Sequence, residues 1–278
     1  MFFQPAIGTG GYPGWLILGR TEARQRETFE KSPTLAQNIE YFRENISKAT
    51  TAEDLVSDRR LLTVALGAFG LGDEIGKKAF VQRILEGGTE DGRSLANRVS
   101  DPRYKKFAEA FDYGNITNGS NILLQDFRED IVARYKSLEF ERAVGEVDDD
   151  MRLGMNFRRE IPEIADPETA ETTAWFQIMG QRPLREVLSV ALNIPRDVGS
   201  LDIDRQAEIF ADKAQQLLGD SNPAIFDDPE MVDEVLRRFF LMRQVENGPS
   251  AQTPGFAALT LLQSGPIGGE SLFNLLTS

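Results

Sequence analysis

Cysteine and histidine are both absent from this chain of 278 residues. Without cysteine the chain can form no disulfide, no thiolate metal site and no cysteine nucleophile. Without histidine it lacks the commonest general base and the commonest protein metal ligand, and it cannot assemble a Ser-His-Asp triad. Any catalysis would depend on Asp, Glu, Lys, Tyr, Ser or Thr. We therefore expect no enzyme activity, no cofactor and no bound metal.

Long apolar runs are absent as well. No stretch approaches the ~20 apolar residues of a membrane helix, and no basic leader precedes the first apolar residues, so a cleaved secretory signal is not indicated. The net charge is −13 and the isoelectric point is near 4.7. Such a surface disfavours nucleic acids and anionic membranes as partners. We expect a cytoplasmic protein, and export without a cleaved signal stays open.

The most apolar stretch predicts a buried helix at 58–72 (DRRLLTVALGAFGLG). Leu61, Val64, Ala65 and Ala68 recur at helical spacing, and a second apolar stripe adjoins them. Asp58 is a candidate N-cap of this helix, and the glycines at 70 and 72 are expected to end it. A helix with apolar residues around so much of its circumference is expected to be buried inside a domain.

A second stretch, at 184–195 (LREVLSVALNIP), has its apolar residues in matching places, so that Leu184 follows Leu61 by 123 residues. The pair Asp101-Pro102, a cap followed by a first-turn proline, returns 127 residues later as Asp228-Pro229. We therefore predict an all-α fold of two related multi-helix units that arose by internal duplication. The units would form an orthogonal or irregular helical bundle.

Glycine, proline and asparagine mark the predicted boundaries. The predicted segments are an irregular Gly-rich lead-in at 1–20, a first helical unit at 21–114, a linker at 115–125, a second helical unit at 126–246 and a Gly/Pro-containing tail at 247–278. In the lead-in, WLIL at 15–18 is expected to dock on the body of the protein. The tail contains the short apolar pieces FAALTLL and LFNLL, which either fold back onto the body or dock on a partner.

Several polar patterns suggest sites, and each has a simpler interpretation. Pro13 interrupts the Gly-rich start where a dinucleotide motif needs glycine, and no Walker lysine follows. The acidic run at 148–150 fits a helix N-terminus better than a metal site, and the D-x-D at 202–204 fits a cap better than a calcium loop. Two glycosylation patterns, at Asn115 and Asn118, are interpreted as chance.

Charged clusters and tryptophans are also interpreted structurally. For Asp58-Arg59-Arg60, 158–160 (RRE) and 204–205 (DR), capping and adjacent ion pairs are sufficient explanations. Trp15 and Trp175 are expected to be packing anchors. The sequence thus offers no catalytic, cofactor-binding or metal-binding residue, and the partner-binding residues are not predicted.

The run at 56–114, VSDRRLLTVALGAFGLGDEIGKKAFVQRILEGGTEDGRSLANRVSDPRYKKFAEAFDYG, resembles the signature of a family of uncharacterised bacterial proteins. Members occur mainly in alphaproteobacteria and are often encoded in flagellar gene regions. The runs QNIEYFRENISKATTAEDLV, MRLGMNFRREI, TTAWFQIMGQRPLREVLSVALNIP and LDIDRQAEIF are similar to the same family. The resemblance implies an all-helical fold and a link to flagellar assembly or motility. It transfers no catalytic residue.

Two classes of function follow. The first is a non-enzymatic structural or interaction protein, associated with the flagellum, that binds another protein through a helical surface. The second is an enzyme based on carboxylates or lysine, or a helical protein that binds a small ligand. The second class requires acidic groups that converge in a pocket. The oligomeric state is not predicted.

Overall fold

The computed structural model describes residues 3–8, 10–116 and 119–246 of the protein. Within these ranges the chain forms 13 α-helices, joined by loops and short 3-10 turns, and no strand. The predicted all-α class is therefore confirmed. None of these helices combines the length and the hydropathy that crossing a bilayer requires. The predictions for the tail at 247–278 and for Asn118 fall outside the described residues.

The helices fall into two series along the chain. The first series comprises α1 (Gly11–Glu30), α2 (Pro33–Asn45), α3 (Ala52–Ser57), α4 (Arg59–Gly67), α5 (Lys78–Gly87), α6 (Leu95–Arg98), α7 (Pro102–Phe111) and α8 (Gln125–Gly145). The second series comprises α9 (Asp149–Ile164), α10 (Glu171–Gly180), α11 (Arg182–Ala191), α12 (Ile203–Leu218) and α13 (Pro229–Glu246).

Short polar side chains explain where several helices begin. The Asp58 carboxylate accepts hydrogen bonds from the backbone N–H groups of Arg60 and Leu61 at 2.9 and 3.1 Å, so it caps α4 as predicted. Asp101, Asp148 and Asp202 are also confirmed as caps, and Thr51 caps α3. Each supplies an acceptor to backbone donors that have no partner inside the helix.

The central helix is buried, as predicted, but it is shorter than the apolar run. Five of its residues, from Leu61 to Leu66 with Thr63 excepted, are almost completely buried. The last residue of the helix is Gly67, and Gly70 ends it as predicted. Gly70 adopts a left-handed conformation (φ 67°), which lets the Leu71 N–H donate to the Leu66 carbonyl at 2.9 Å and terminates the helix.

Helix α11 ends in the same way. Asn193 is left-handed (φ 51°), and the Ile194 N–H donates to the Ser189 carbonyl at 2.8 Å. These residues follow their counterparts in α4 by the same 123 residues that separate Leu61 from Leu184. The two helices therefore share an ending as well as an apolar face.

The neighbours of these two helices also correspond. Helix α4 packs on α2, α3 and α8, whereas α11 packs on α9, α10 and α13. Likewise α3 contacts α5, and α10 contacts α12. In this order α13 corresponds to α8, not to α7 as the Asp-Pro spacing suggests. The parallel supports the duplication, which stays a prediction.

The buried residues form two hydrophobic cores. The first core extends from Leu35 to Tyr135, and the second from Phe140 to Phe240 with residues of the N-terminal segment. The division between them lies inside α8, which runs without interruption through both. Lys106 of α7 adds ion pairs to Glu160 and Glu163 of α9, at 3.2 and 2.7 Å. The two cores are thus joined by a shared helix and by charged contacts.

Two predicted boundaries differ from the structure. The lead-in is helical from Gly11 onward, because Trp15 and Leu18 of α1 are buried in the second core and stabilise a helix that contains Gly and Pro. The docking of this segment is confirmed. The predicted linker is packed: Ile122 is buried in the first core, and the preceding Tyr113 donates to the Ala49 carbonyl at 2.5 Å.

Candidate functional site

The Asp58-Arg59-Arg60 cluster has a structural role. Besides capping α4, the Asp58 carboxylate accepts a hydrogen bond from the Tyr41 hydroxyl at 2.6 Å, and the Arg60 guanidinium lies 4.3 Å from the centre of the Tyr41 ring. Burial raises the pKa of Asp58, but the hydrogen bonds to its carboxylate outweigh burial and lower the pKa below its usual value. The cluster fixes the start of α4 against α2.

The residues at 158–160 belong to an ion-pair network inside the molecule. Arg159 lies 3.1 Å from the carboxylate of Glu141 on α8 and also contacts Glu160. Arg158 pairs with Glu22 of α1. Burial raises the pKa of Glu141 more than Arg159 lowers it. These contacts join α1, α8 and α9, and they leave no open site.

The acidic runs are placed at helix starts. Asp148 caps α9, Asp149 pairs with Arg152, and Asp150 pairs with Arg243. Asp202 caps α12. No group of three or more acidic side chains is close enough to hold a metal in the part of the chain that the structure describes.

Both tryptophans are packing anchors, as predicted. Trp15 stacks on Phe240 with ring centres 5.0 Å apart. Trp175 packs against Phe210 and Phe226, and its indole N–H donates to the Ser221 carbonyl at 3.0 Å. Both side chains stabilise the second core.

A cleft, which we call the α11 cleft, lies on the second core. It is lined by one face of α11, the segment 193–199, Phe210 of α12, and Arg243 and Glu246 at the end of α13, and it encloses about 450 Å³. The left-handed Asn193 positions this segment, because it turns the chain back beside α11. The cleft therefore depends on how α11 ends.

The lining has an apolar part and a basic part. Val198 and Phe210 are buried, and Val190 and Ile194 are half-buried beside them. Four of the eight polar residues of the lining are arginines. The charged residues of the lining are Arg182, Arg185, Arg196, Arg243, Glu186 and Glu246. Four positive and two negative groups thus meet in one cleft of a protein whose net charge is −13.

The arginines of the α11 cleft differ in their partners. Arg243 pairs with Asp150, Glu186 and Glu246, so both glutamates of the lining are engaged by it. Arg182, Arg185 and Arg196 form no ion pair with any described residue. Arg182 and Arg196 are exposed and Arg185 is half-buried. These three cations are the unusual feature of the site.

Arg185 is held in place by a neutral partner. Its Nη2 donates to Oε1 of Gln206 at 2.7 Å. Gln206 is itself buried, and its Nε2 donates to the Leu201 carbonyl at 2.7 Å. The guanidinium is therefore oriented by a buried amide, which leaves the charge uncompensated.

A smaller cleft of about 270 Å³ lies between α1, α2 and α8. Its charged residues are paired across it. Arg43 binds Glu129 at 2.5 Å, and Lys136 binds Glu30 at 2.7 Å. Since these charges neutralise each other, the α11 cleft is the stronger candidate.

The α11 cleft is not apparent from the sequence. One signal was available, because Arg182, Arg185, Ser189 and Asn193 are spaced by three or four residues and so share a helix face. The remaining lining residues come from distant parts of the chain. Helical spacing alone gives no indication that they meet.

Comparison with known proteins places the chain in a family. It is similar to a protein from Agrobacterium tumefaciens, an alphaproteobacterium, whose crystal structure was solved by a structural genomics consortium. The two share 26% identity with a TM-score of 0.71, over 88% of this chain and 98% of the other. No curated protein matches the chain. A family model described as "protein of unknown function (DUF1217)" matches residues 68–232, more than half of the sequence, and the chain belongs to this family.

Proposed function

We propose that this protein is a non-enzymatic interaction protein that binds a segment of another protein in the α11 cleft, and that the partner is a component of flagellar assembly or motility. The observation that carries the proposal is a cleft with an apolar floor and a basic rim on a strongly acidic protein. Grooves of this kind bind amphipathic segments, whose apolar side chains enter the floor while their polar side chains meet the rim.

The dimensions of the cleft suit a short peptide segment. Helix α11 has 10 residues, which gives a length of about 15 Å. That length accommodates about three turns of a partner helix, or four to five extended residues. Val190, Ile194 and Phe210 supply the apolar contact.

Charge favours an acidic segment. The rim cations Arg182, Arg185 and Arg196 have no acidic partner among the described residues. An acidic segment would gain from these charges, while the negative surface elsewhere would repel it from other docking sites. The expected partner segment is therefore both apolar and acidic.

The flagellar part of the proposal is supported by the resemblance of residues 56–114 to a family often encoded in flagellar gene regions. The α11 cleft adds a surface suited to binding, and the identity of its partner would establish the place of action.

A small-ligand-binding protein is the second candidate. The volume of about 450 Å³ lies in the range of small-molecule pockets, which is about 300–1,000 Å³. An enzyme is less well supported, because the two glutamates of the lining both pair with Arg243. A small ligand would bind the isolated protein without any macromolecular partner.

The test is crosslinking and affinity capture of the tagged full-length chain from motile cells, followed by mass spectrometry. We expect enrichment of named basal-body, hook, filament or export components over an untagged control. The variant Arg182→Glu/Arg196→Glu should no longer capture these components. The control variant Arg24→Glu/Arg83→Glu changes two exposed arginines outside the cleft and produces the same change in net charge. This control variant should still capture the flagellar components.

Two outcomes would contradict the proposal. Recovery of metabolic proteins only, or of nothing specific, would remove the flagellar assignment. Equal capture by the cleft variant and the control variant would show that the partner binds elsewhere on the molecule.

A further inference from the structure

Arg185 is a half-buried cation whose side-chain hydrogen-bond partner is neutral. Several half-buried arginines, such as Arg159 and Arg243, lie against carboxylates. Arg185 has no carboxylate partner among the described residues, and its hydrogen bond goes to the amide of Gln206. Its neighbour on the chain, Glu186, is engaged by Arg243 at 2.6 Å. Withdrawing a charge from water without an opposite charge costs free energy.

The surroundings keep the guanidinium ready to bind an anion. Gln206 orients Arg185 from behind, and a guanidinium has further N–H donors in a rigid fork. Gly199 makes room for it, since a Cβ at this position would lie 3.2 Å from Nη2 of Arg185. A side chain held in this way loses little entropy when it binds.

The lining favours a carboxylate over a phosphate. Glu186 and Glu246 line the same cleft, and their repulsion grows with the charge of the ligand. A singly charged carboxylate suffers less of this repulsion than a phosphate dianion. Its two oxygens also match the planar fork of an arginine.

We infer that Arg185, positioned by Gln206, binds the carboxylate of an Asp or Glu side chain in the segment that occupies the α11 cleft, with Arg182 and Arg196 adding attraction at the rim. This inference rests on the proposed function. It deepens the proposal by naming the chemical group that is recognised and the residue that binds it.

The test uses the full-length chain and two small probes. The first is N-acetyl-glutamate-α-methylamide, which presents one carboxylate between neutral amides, and the second is its glutamine counterpart. Binding is followed through the Nε–H resonance of Arg185 by NMR. We expect a saturable shift with the glutamate probe, with a dissociation constant on the order of millimolar for so small a ligand. We expect none with the glutamine probe.

Variants separate the binding residue from its support. Arg185→Gln should weaken the binding of the glutamate probe by about tenfold or more, because a charge-assisted hydrogen-bond pair is lost. Gln206→Glu retains Arg185 but supplies an internal carboxylate beside it, so it should also abolish binding while the Arg185 resonance persists at a shifted position. Arg83→Gln, on the distant helix α5, should change nothing.

Three results would overturn the inference: no saturable shift in the wild type, an equal response to both probes, or undiminished binding by Gln206→Glu. Tighter binding of inorganic phosphate than of the glutamate probe would overturn the carboxylate assignment. The outcome is separable from the affinity capture. If the glutamate probe binds but affinity capture fails, only the flagellar partner is rejected. If capture succeeds but the probe does not bind, the role of Arg185 is rejected.

Discussion

Gly114 provides a sharp test of the packing of the chain just before the predicted linker at 115–125. A Cβ on Gly114 would lie 2.5 Å from the Glu86 carbonyl oxygen and closer still to the Gly88 nitrogen. Both are backbone atoms, so no side-chain rotation can relieve the clash. Gly114→Ala should therefore force this segment away from the end of α5.

The size of the effect follows from overpacking. A forced backbone shift costs about 1–3 kcal/mol, and the reduced freedom of the unfolded chain returns up to about 1 kcal/mol. We expect a net loss of about 2 kcal/mol in the free energy of unfolding. For a chain of this length that corresponds to a fall in Tm of about 4–8 °C.

The loss of stability is measured by chemical and thermal unfolding, with far-UV circular dichroism and tryptophan fluorescence as the two signals. Both tryptophans lie in the second core, whereas Gly114 lies beside the first, so the two signals report different parts of the molecule. Because α8 runs through both cores, we expect the two transitions to coincide in the wild type and to shift together in the variant.

Gly92→Ala is the matched control, since a Cβ there meets no atom within 4 Å and Gly92 is exposed. If Gly114→Ala is as stable as Gly92→Ala, the close packing of Gly114 against the end of α5 is refuted. A shift in circular dichroism without a shift in fluorescence would refute the coupling through α8.

Two further predictions concern single carboxylates. Burial raises the folded-state pKa of Glu141 above its usual value of 4.5, so its contribution to stability is present below that value and is lost as the pH rises through the folded-state pKa. Glu141→Gln removes this loss, and unfolding measured from pH 4 to 8 should show the variant gaining stability relative to the wild type as the pH rises. A flat or falling difference would contradict the burial argument. Asp58→Ala should cost about 1–2 kcal/mol through loss of the cap, whereas Asp58→Asn should cost far less in the same denaturation assay. Equal losses in the two variants would exclude capping as the reason.

Local features of the fold were predictable because they depend on neighbours in sequence. The caps at Asp58 and Asp148 and the buried face of α4 follow from residues within one or two helical turns. The start of α1 was not predictable in this way. Its Gly and Pro content indicates irregular chain, and the contact of Trp15 with Phe240, 225 positions away, overrides that preference.

The same limit applies to the candidate site. The α11 cleft combines a face of α11 with Phe210 and with Arg243 at the end of α13, and only the fold brings them together. Nothing in the sequence distinguishes Arg185 from an ordinary solvated residue on an amphipathic helix. Its significance depends on Gln206, whose burial cannot be inferred from local composition.

The correspondence between the halves gives a physical reason to place the function at α11. At the 123-residue offset, Arg185 and Ser189 of α11 take the positions of Leu62 and Leu66 in α4. Both leucines are fully buried, so this helical arrangement can cover an apolar side chain at either position. In the second half the same positions hold a half-buried cation and a half-buried hydroxyl. Folding would favour leucine there, because an uncompensated charge costs stability. The packing of the second core therefore does not explain these polar residues of α11, which supports the proposed binding role of the α11 cleft.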